Sequence, residues 1–159
     1  YGFETLCGIS RWKGRFGKAG GTAPLRCANE FPQALLMLDR LATGVDRRAL
    51  LEDILRSPGS TLITAPNGYG LIRAGDQASH FGPVVARDPE TVRELFASAA
   101  RLLEGREVIC DLFDDCGAGE IAGEFGLTRH RALKRMTAPS PFHQLSHRQA
   151  IAAAGFELG

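Results

Sequence analysis

The stretch TLITAPNGYGLIRAGDQASHFGPVVARDPETVRELFASAARLLEG, residues 61–105, decides the fold. Two apolar runs, Thr61 to Ala65 and Tyr69 to Arg73, flank Pro66-Asn67-Gly68. Asn-Gly tolerates positive φ, so these runs read as a β-hairpin. A third strand is expected over about Gln77 to Ala86, ending in the apolar Pro83-Val84-Val85-Ala86. Asp88-Pro89-Glu90 then marks a helix start. Asp88 can cap, Pro89 suits the first helical position, and Glu90 faces the positive end of the dipole. Val92, Leu95, Phe96, Ala99 and Leu102 form an unbroken helical stripe, closed by Gly105.

Towards the N-terminus, Phe3 to Trp12 partly alternates and reads as extended. Gly14 to Gly21 carries four glycines in eight residues, a linker by composition. A short strand is expected at Ala23 to Ala28. Phe31, Ala34, Leu35, Leu38 and Leu41 then fall at helical spacing up to Gly44. Asp46 is a candidate N-cap for a second helix that buries Leu50, Leu51, Ile54 and Leu55. Towards the C-terminus, Glu107 to Phe113 reads as a central strand. Ala118, Ile121, Ala122 and Phe125 give a short helix, and Arg129 to Ala138 a long last strand. Ser146 with Gln149 fits a capping box, so a final helix is expected up to Gly155. Hairpin strands followed by β-α-β-α-β give an α/β fold: one mixed sheet with helices on both faces.

The chain has 159 residues, enough for one domain, and 44% are hydrophobic, so a packed soluble globule is expected. Nineteen basic residues balance eighteen acidic ones, for a formal charge of +1. That balance argues against nucleic acid or an anionic membrane as partner. No apolar run approaches roughly 20 residues, and no basic-then-apolar stretch of the signal-peptide kind is seen in the opening residues. Cys7, Cys27, Cys110 and Cys116 form no C-x-x-C pair and read as free thiols of a cytoplasmic protein. The chain opens at Tyr1, directly in strand-like sequence, which reads as a piece of a longer protein or an incomplete reading frame.

Several chemistries fail on spacing. Gly17-Lys18 lacks the upstream glycine of a phosphate loop, since Trp12 stands there, and Ala19 replaces the required Ser or Thr. No G-x-S-x-G elbow occurs, and Gly68-x-Gly70 meets Arg73 where a dinucleotide fingerprint needs glycine. His130, His143 and His147 lie too far apart for a metal reading, so no metal is expected.

The element order resembles that of the GNAT N-acetyltransferases, and the resemblance reaches particular residues. Asp39-Arg40, Gly44, Asp46-Arg47 and Leu50-Leu51 look like the paired first helices of the second half of tandem GNAT proteins. Gly68-Tyr69-Gly70-Leu71-Ile72-Arg73 and Phe81-Gly82-Pro83-Val84-Val85-Ala86 look like the third and fourth strands. Asp111, Phe125-Gly126-Leu127 and Arg135-Met136 look like the fifth strand, fourth helix and closing strands. Gly2-Phe3 precedes Ile9-Ser10-Arg11-Trp12 by the offset at which Gly126-Leu127 precedes Leu133-Lys134-Arg135-Met136, a weak internal repeat. The implied organisation is the last strand of a preceding GNAT domain at 1–13, a linker at 14–22 and a GNAT-like domain at 23–159. A homodimer or a missing N-terminal GNAT domain is the implied partner.

The resemblance also implies acetyl-CoA as cosubstrate and an amine as acceptor. In the family, the splayed fourth strand offers its backbone to the pantetheine arm. A loop of pattern Q/R-x-x-G-x-G/A then cradles the pyrophosphate at a helix N-terminus. That carries cofactor contacts to Val84, Val85, Ala86, Arg87, Thr91 and Val92. Arg87 matches the pattern, but Glu90 and Val92 stand where small residues belong. Pro89 removes an N–H donor, and Asp88 and Glu90 oppose an anion. The family's usual tyrosine acid has no counterpart in the fourth helix, and Tyr69 reads as core. Asp111, near Asp114 and Asp115, is a candidate base for the amine, or else part of a solvated strand end. His80 is a second candidate base, or else a satisfied strand histidine. Three functions stay open: an N-acetyltransferase, a non-catalytic GNAT-like accessory module, and a small-ligand domain using the cleft between the fourth and fifth strands.

Overall fold

A computed structural model describes residues 2–17, 24–137 and 149–155. Its elements are β1 (Glu4–Arg15), β2 (Cys27–Ala28), α1 (Gln33–Thr43), α2 (Arg48–Arg56), β3 (Thr61–Ala65) and β4 (Gly68–Arg73). β5 (Ser79–Ala86), α3 (Pro89–Leu102), β6 (Glu107–Phe113), α4 (Ala118–Glu124), β7 (Leu127–Thr137) and β8 (Ala150–Ala152) follow. One sheet runs β2-β3-β4-β5-β8-β6-β1-β7. Every pairing is antiparallel except β5 with β6, which run parallel.

Helices cover both faces, as expected, and the central strands explain why. Ile63, Ile72, Val84, Leu112 and Ile151 point into the core beneath α3 and α4. Their sequence neighbours Leu62, Leu71, Val85, Phe113 and Ala150 point into the core beneath α1 and α2. Side chains alternate between sheet faces, so a strand buried on both must be apolar throughout. α3 forms as read: Asp88 Oδ1 accepts from the Thr91 amide at 2.7 Å, and Pro89 opens the first turn. Phe96 packs edge-on to Phe81, ring centroids 5.1 Å apart, and meets Phe125 at 5.8 Å.

Four expectations are corrected. β1 does not end at Trp12. It continues through Arg15, Phe16 is buried, and Gly14 and Arg15 therefore belong to the sheet rather than to a linker. Gly14 is needed there because a Cβ would come within 2.6 Å of the Gly126 carbonyl oxygen. α1 buries Leu36, Asp39 and Ala42, while Leu41 of the expected stripe is exposed. A buried polar anchor sets that face: Asp39 accepts from Tyr69 Oη at 2.5 Å and from both Nε and Nη2 of Arg47. Asp46 bonds the Arg48 amide, but the residue at the α2 N-cap is Arg47. The last helix is absent over its described part: Ala150–Ala152 is strand, while Ser146 and His147 lie outside the described residues. Alanine is small enough for either state, and open backbone groups of β5 and β6 select the strand.

β1 lies inside the sheet, between β6 and β7. The two halves of the weak repeat face each other there, with Ile9 opposite Leu133 and Gly8 opposite Lys134.

Candidate functional site at the fork between β5 and β6

β5 and β6 pair directly only at Ser79 with Val108 and His80 with Ile109. Beyond that point they diverge into a fork, and β8 fills it. Val84 faces Ala152 and Val85 faces Ala150 on one side, and Leu112 faces Ala152 on the other. The Ala86 amide donates to Gln149 O at 3.0 Å, and the Ala153 amide to Asp111 O at 2.9 Å. Ala150 through Ala154 are all buried. Val84, Val85 and Ala86, expected to meet a pantetheine arm, have their backbone engaged by the protein's own strand.

The α3 N-terminus beyond the fork is also occupied. Asp88 takes the Thr91 amide and an Nδ2–H of Asn67, and these bonds hold its carboxyl below the usual range. Pro89 has no amide to give. A 130 Å³ cleft remains, lined by Arg87, Asp88, Val92, Cys116 and Ile151 among others. Of the expected contacts here, Arg87 is exposed, whereas Thr91 and Val92 are buried. Cys116 borders the cleft; its Sγ donates to Phe113 O, and burial pushes its thiol up to about 11. A diphosphate placed here would face the Asp88 carboxylate and, among the described residues, no array of open amides. The residues present therefore do not fit the phosphate and pantetheine parts of coenzyme A.

The two candidate bases do come together. His80 Nε2 lies 3.3 Å from Asp111 Oδ2. Asp111 is fully buried and accepts a fork of two bonds from Arg11, at 2.8 and 2.9 Å. Burial pushes the Asp111 carboxyl up, but bonds from Arg11 and His80 outweigh it, and the net shift is downward. A carboxylate so held is a weak base with no open lone-pair direction towards solvent. His80 Nδ1 lies 3.0 Å from Arg73 Nη2. Arginine only donates, so Nδ1 accepts, and the ring proton sits on Nε2 towards Asp111. Both ring nitrogens are engaged. Asp114 joins a separate group, accepting from Ser10 Oγ at 2.5 Å and from Arg129 at 3.2 Å. Among the described residues no His, Cys, Asp and Glu group could hold a metal.

Arg11, Arg73 and β8 were not among the expected site residues. Arg11 alone left a trace, as a charge within an otherwise half-apolar strand. The partners of Arg73 depend on a chain reversal that no local pattern records.

A sequence model of the acetyltransferase (GNAT) domain matches residues 35–151. The chain belongs to the GNAT acetyltransferase family. No curated protein sequence matches it. Among solved structures, a Pyrococcus horikoshii protein to which acetyltransferase activity is ascribed is similar over 99% of this chain and 53% of its own. Its TM-score is 0.82 and its identity 20%. A GCN5-related N-acetyltransferase from Kribbella flavida follows over 85% of this chain and 38% of its own, with TM-score 0.61 and 17% identity. One from Anabaena variabilis is similar over 85% and 41%, with TM-score 0.58 and 16% identity. This GNAT chain thus spans about half the length of the first of these relatives and less of the others. The described GNAT domain has no helix long and apolar enough to cross a membrane.

Proposed function

We propose that this GNAT domain is the accessory, non-catalytic module of an N-acetyltransferase that moves an acetyl group from acetyl-CoA to an amine. In this reading a second GNAT unit binds the thioester, and the present domain packs on it and shapes the acceptor site. That unit is another domain of the same protein, or a second copy of the chain. A cytoplasmic setting suits four unpaired cysteines. The observation that carries the proposal is β8 in the fork. Its bonds to Ala86 and Asp111 use the backbone groups that a pantetheine arm would need.

The alternative is a catalytic domain using Asp111 or His80 as base, with Val84 to Arg87, Thr91 and Val92 around the cofactor. The Arg11 and Arg73 partners of those two groups argue against it. Calorimetric titration of the chain with acetyl-CoA separates the two readings. The accessory reading expects no heat of binding and no shift in melting temperature at millimolar ligand. Saturable binding would overturn it.

A further inference from the structure

The pair first read as catalytic belongs to a longer polar chain that crosses four strands. Arg11 on β1 holds Asp111 on β6, Asp111 meets His80 on β5, and His80 meets Arg73 on β4. Arg73 Nη2 also donates to the Ala154 carbonyl, two residues beyond β8. Asp111 returns to the same place through its own carbonyl, which accepts the Ala153 amide. Arg73 through its side chain and Asp111 through its backbone therefore hold two neighbouring residues, Ala154 and Ala153, at the end of β8. Gly82 lets the strand pass, since a Cβ there would lie 2.3 Å from the Ala153 carbonyl oxygen.

Otherwise the segment is held by its ladder pairing with β5 and β6 and by the buried Ile151. β8 is three residues long, its register on β5 shifts between Val84 and Val85, and its side chains are mostly alanine methyls. A buried methyl contributes little area. Charge-assisted hydrogen bonds in a buried setting are the strong ones. We propose that Arg11, Asp111, His80 and Arg73 form a latch that holds β8 in the fork, with Arg73 as the positioning residue that fastens Ala154. Asp111 and His80 then serve closure of the fork rather than proton transfer. The inference deepens the accessory reading by naming what keeps the fork shut.

The test is residue-resolved amide exchange on the full chain. Arg73→Leu is expected to speed exchange at Ala86 and Ala153 about tenfold or more. The Thr64 amide, bonded to Arg26 O away from the fork, stays at its unmodified rate. Arg73→Lys, which keeps one cationic donor, falls between the two. Unchanged rates at Ala86 and Ala153 would overturn the latch, and so would an equal acceleration at all three amides. Should Arg73→Leu not fold, His80→Leu carries the same comparison with the same outcomes. Acetyl-CoA binding to the unmodified chain reports separately: it sinks the accessory reading, while the exchange pattern alone decides the latch.

Discussion

Asp111 shows how a residue's identity and its surroundings can point to different chemistry. A carboxylate at the end of a central strand is a reasonable base, and its place in the sequence says nothing about Arg11. Sheet pairing sets Arg11 directly opposite Asp111 and closes two bonds between them. Because the folded carboxyl is depressed below its unfolded value, the stability it contributes is complete above the unfolded pKa, about 4. It is lost as pH falls through the lower folded value. Urea midpoints measured from pH 7 to pH 2 should therefore drop below about pH 4. Asp111→Asn should lower stability at pH 7 by roughly 3 kcal/mol, as one charge of a buried pair is left behind. Its acid decline should be shallower than that of the unmodified chain. A parallel decline in both proteins would remove Asp111 from the account.

Among elements, the turn into α3 is the clearest case of a family position put to another use. Asp88 and Glu90 are good helix-starting residues and poor phosphate ligands for one electrostatic reason, and Pro89 because its φ suits the first turn while it has no amide to give. Asp88→Ala should cost about 1 kcal/mol of stability through the lost cap, read as a lower denaturant midpoint. Glu90→Gly brings the loop nearer the family pattern and removes a charge. It should still leave acetyl-CoA unbound in titration, because β8 occupies the fork next to it. Binding restored by that single change would mean that the loop, not the strand, excludes the cofactor. The same element scale explains the misread last segment. Ser146 to Gln149 has capping-box chemistry and the residues after it are alanine-rich, so local propensity favours helix. Tertiary demand for backbone partners at the fork overrides it.

At the scale of the whole molecule, β1 is an interior strand bonded along most of its length to β6 and β7. It carries Arg11 of the latch and places Phe16 against Phe96 and Phe125. Gly14→Val would force a side chain into the Gly126 carbonyl. The expected result is loss of several kcal/mol and one cooperative transition at lower temperature, not local fraying. A melting curve shifted by less than two degrees would show that β1 is dispensable to the core. Two segments far apart in the chain, β1 and β8, thus complete the sheet on either side of β6.

The sequence by itself determined the hairpin of β3 and β4, the start of α3 and its buried Val92, Leu95, Phe96 and Ala99 though not the exposed Leu102, and the mixed sheet covered on both sides. Each follows from a local rule: the conformational freedom of Asn-Gly, the capping of an orphan amide by Asp88, and the period of apolar residues. It also determined that the loop after β5 departs from a phosphate cradle, since missing glycines and an added proline are local facts. Tertiary structure alone decided that Asp111 is an ion-pair partner, that His80 has both nitrogens engaged, and that Ala150–Ala152 is a strand. Those outcomes rest on contacts between residues up to a hundred positions apart. No local propensity encodes them, because a buried charge or an open backbone group takes whichever partner the finished sheet brings within reach.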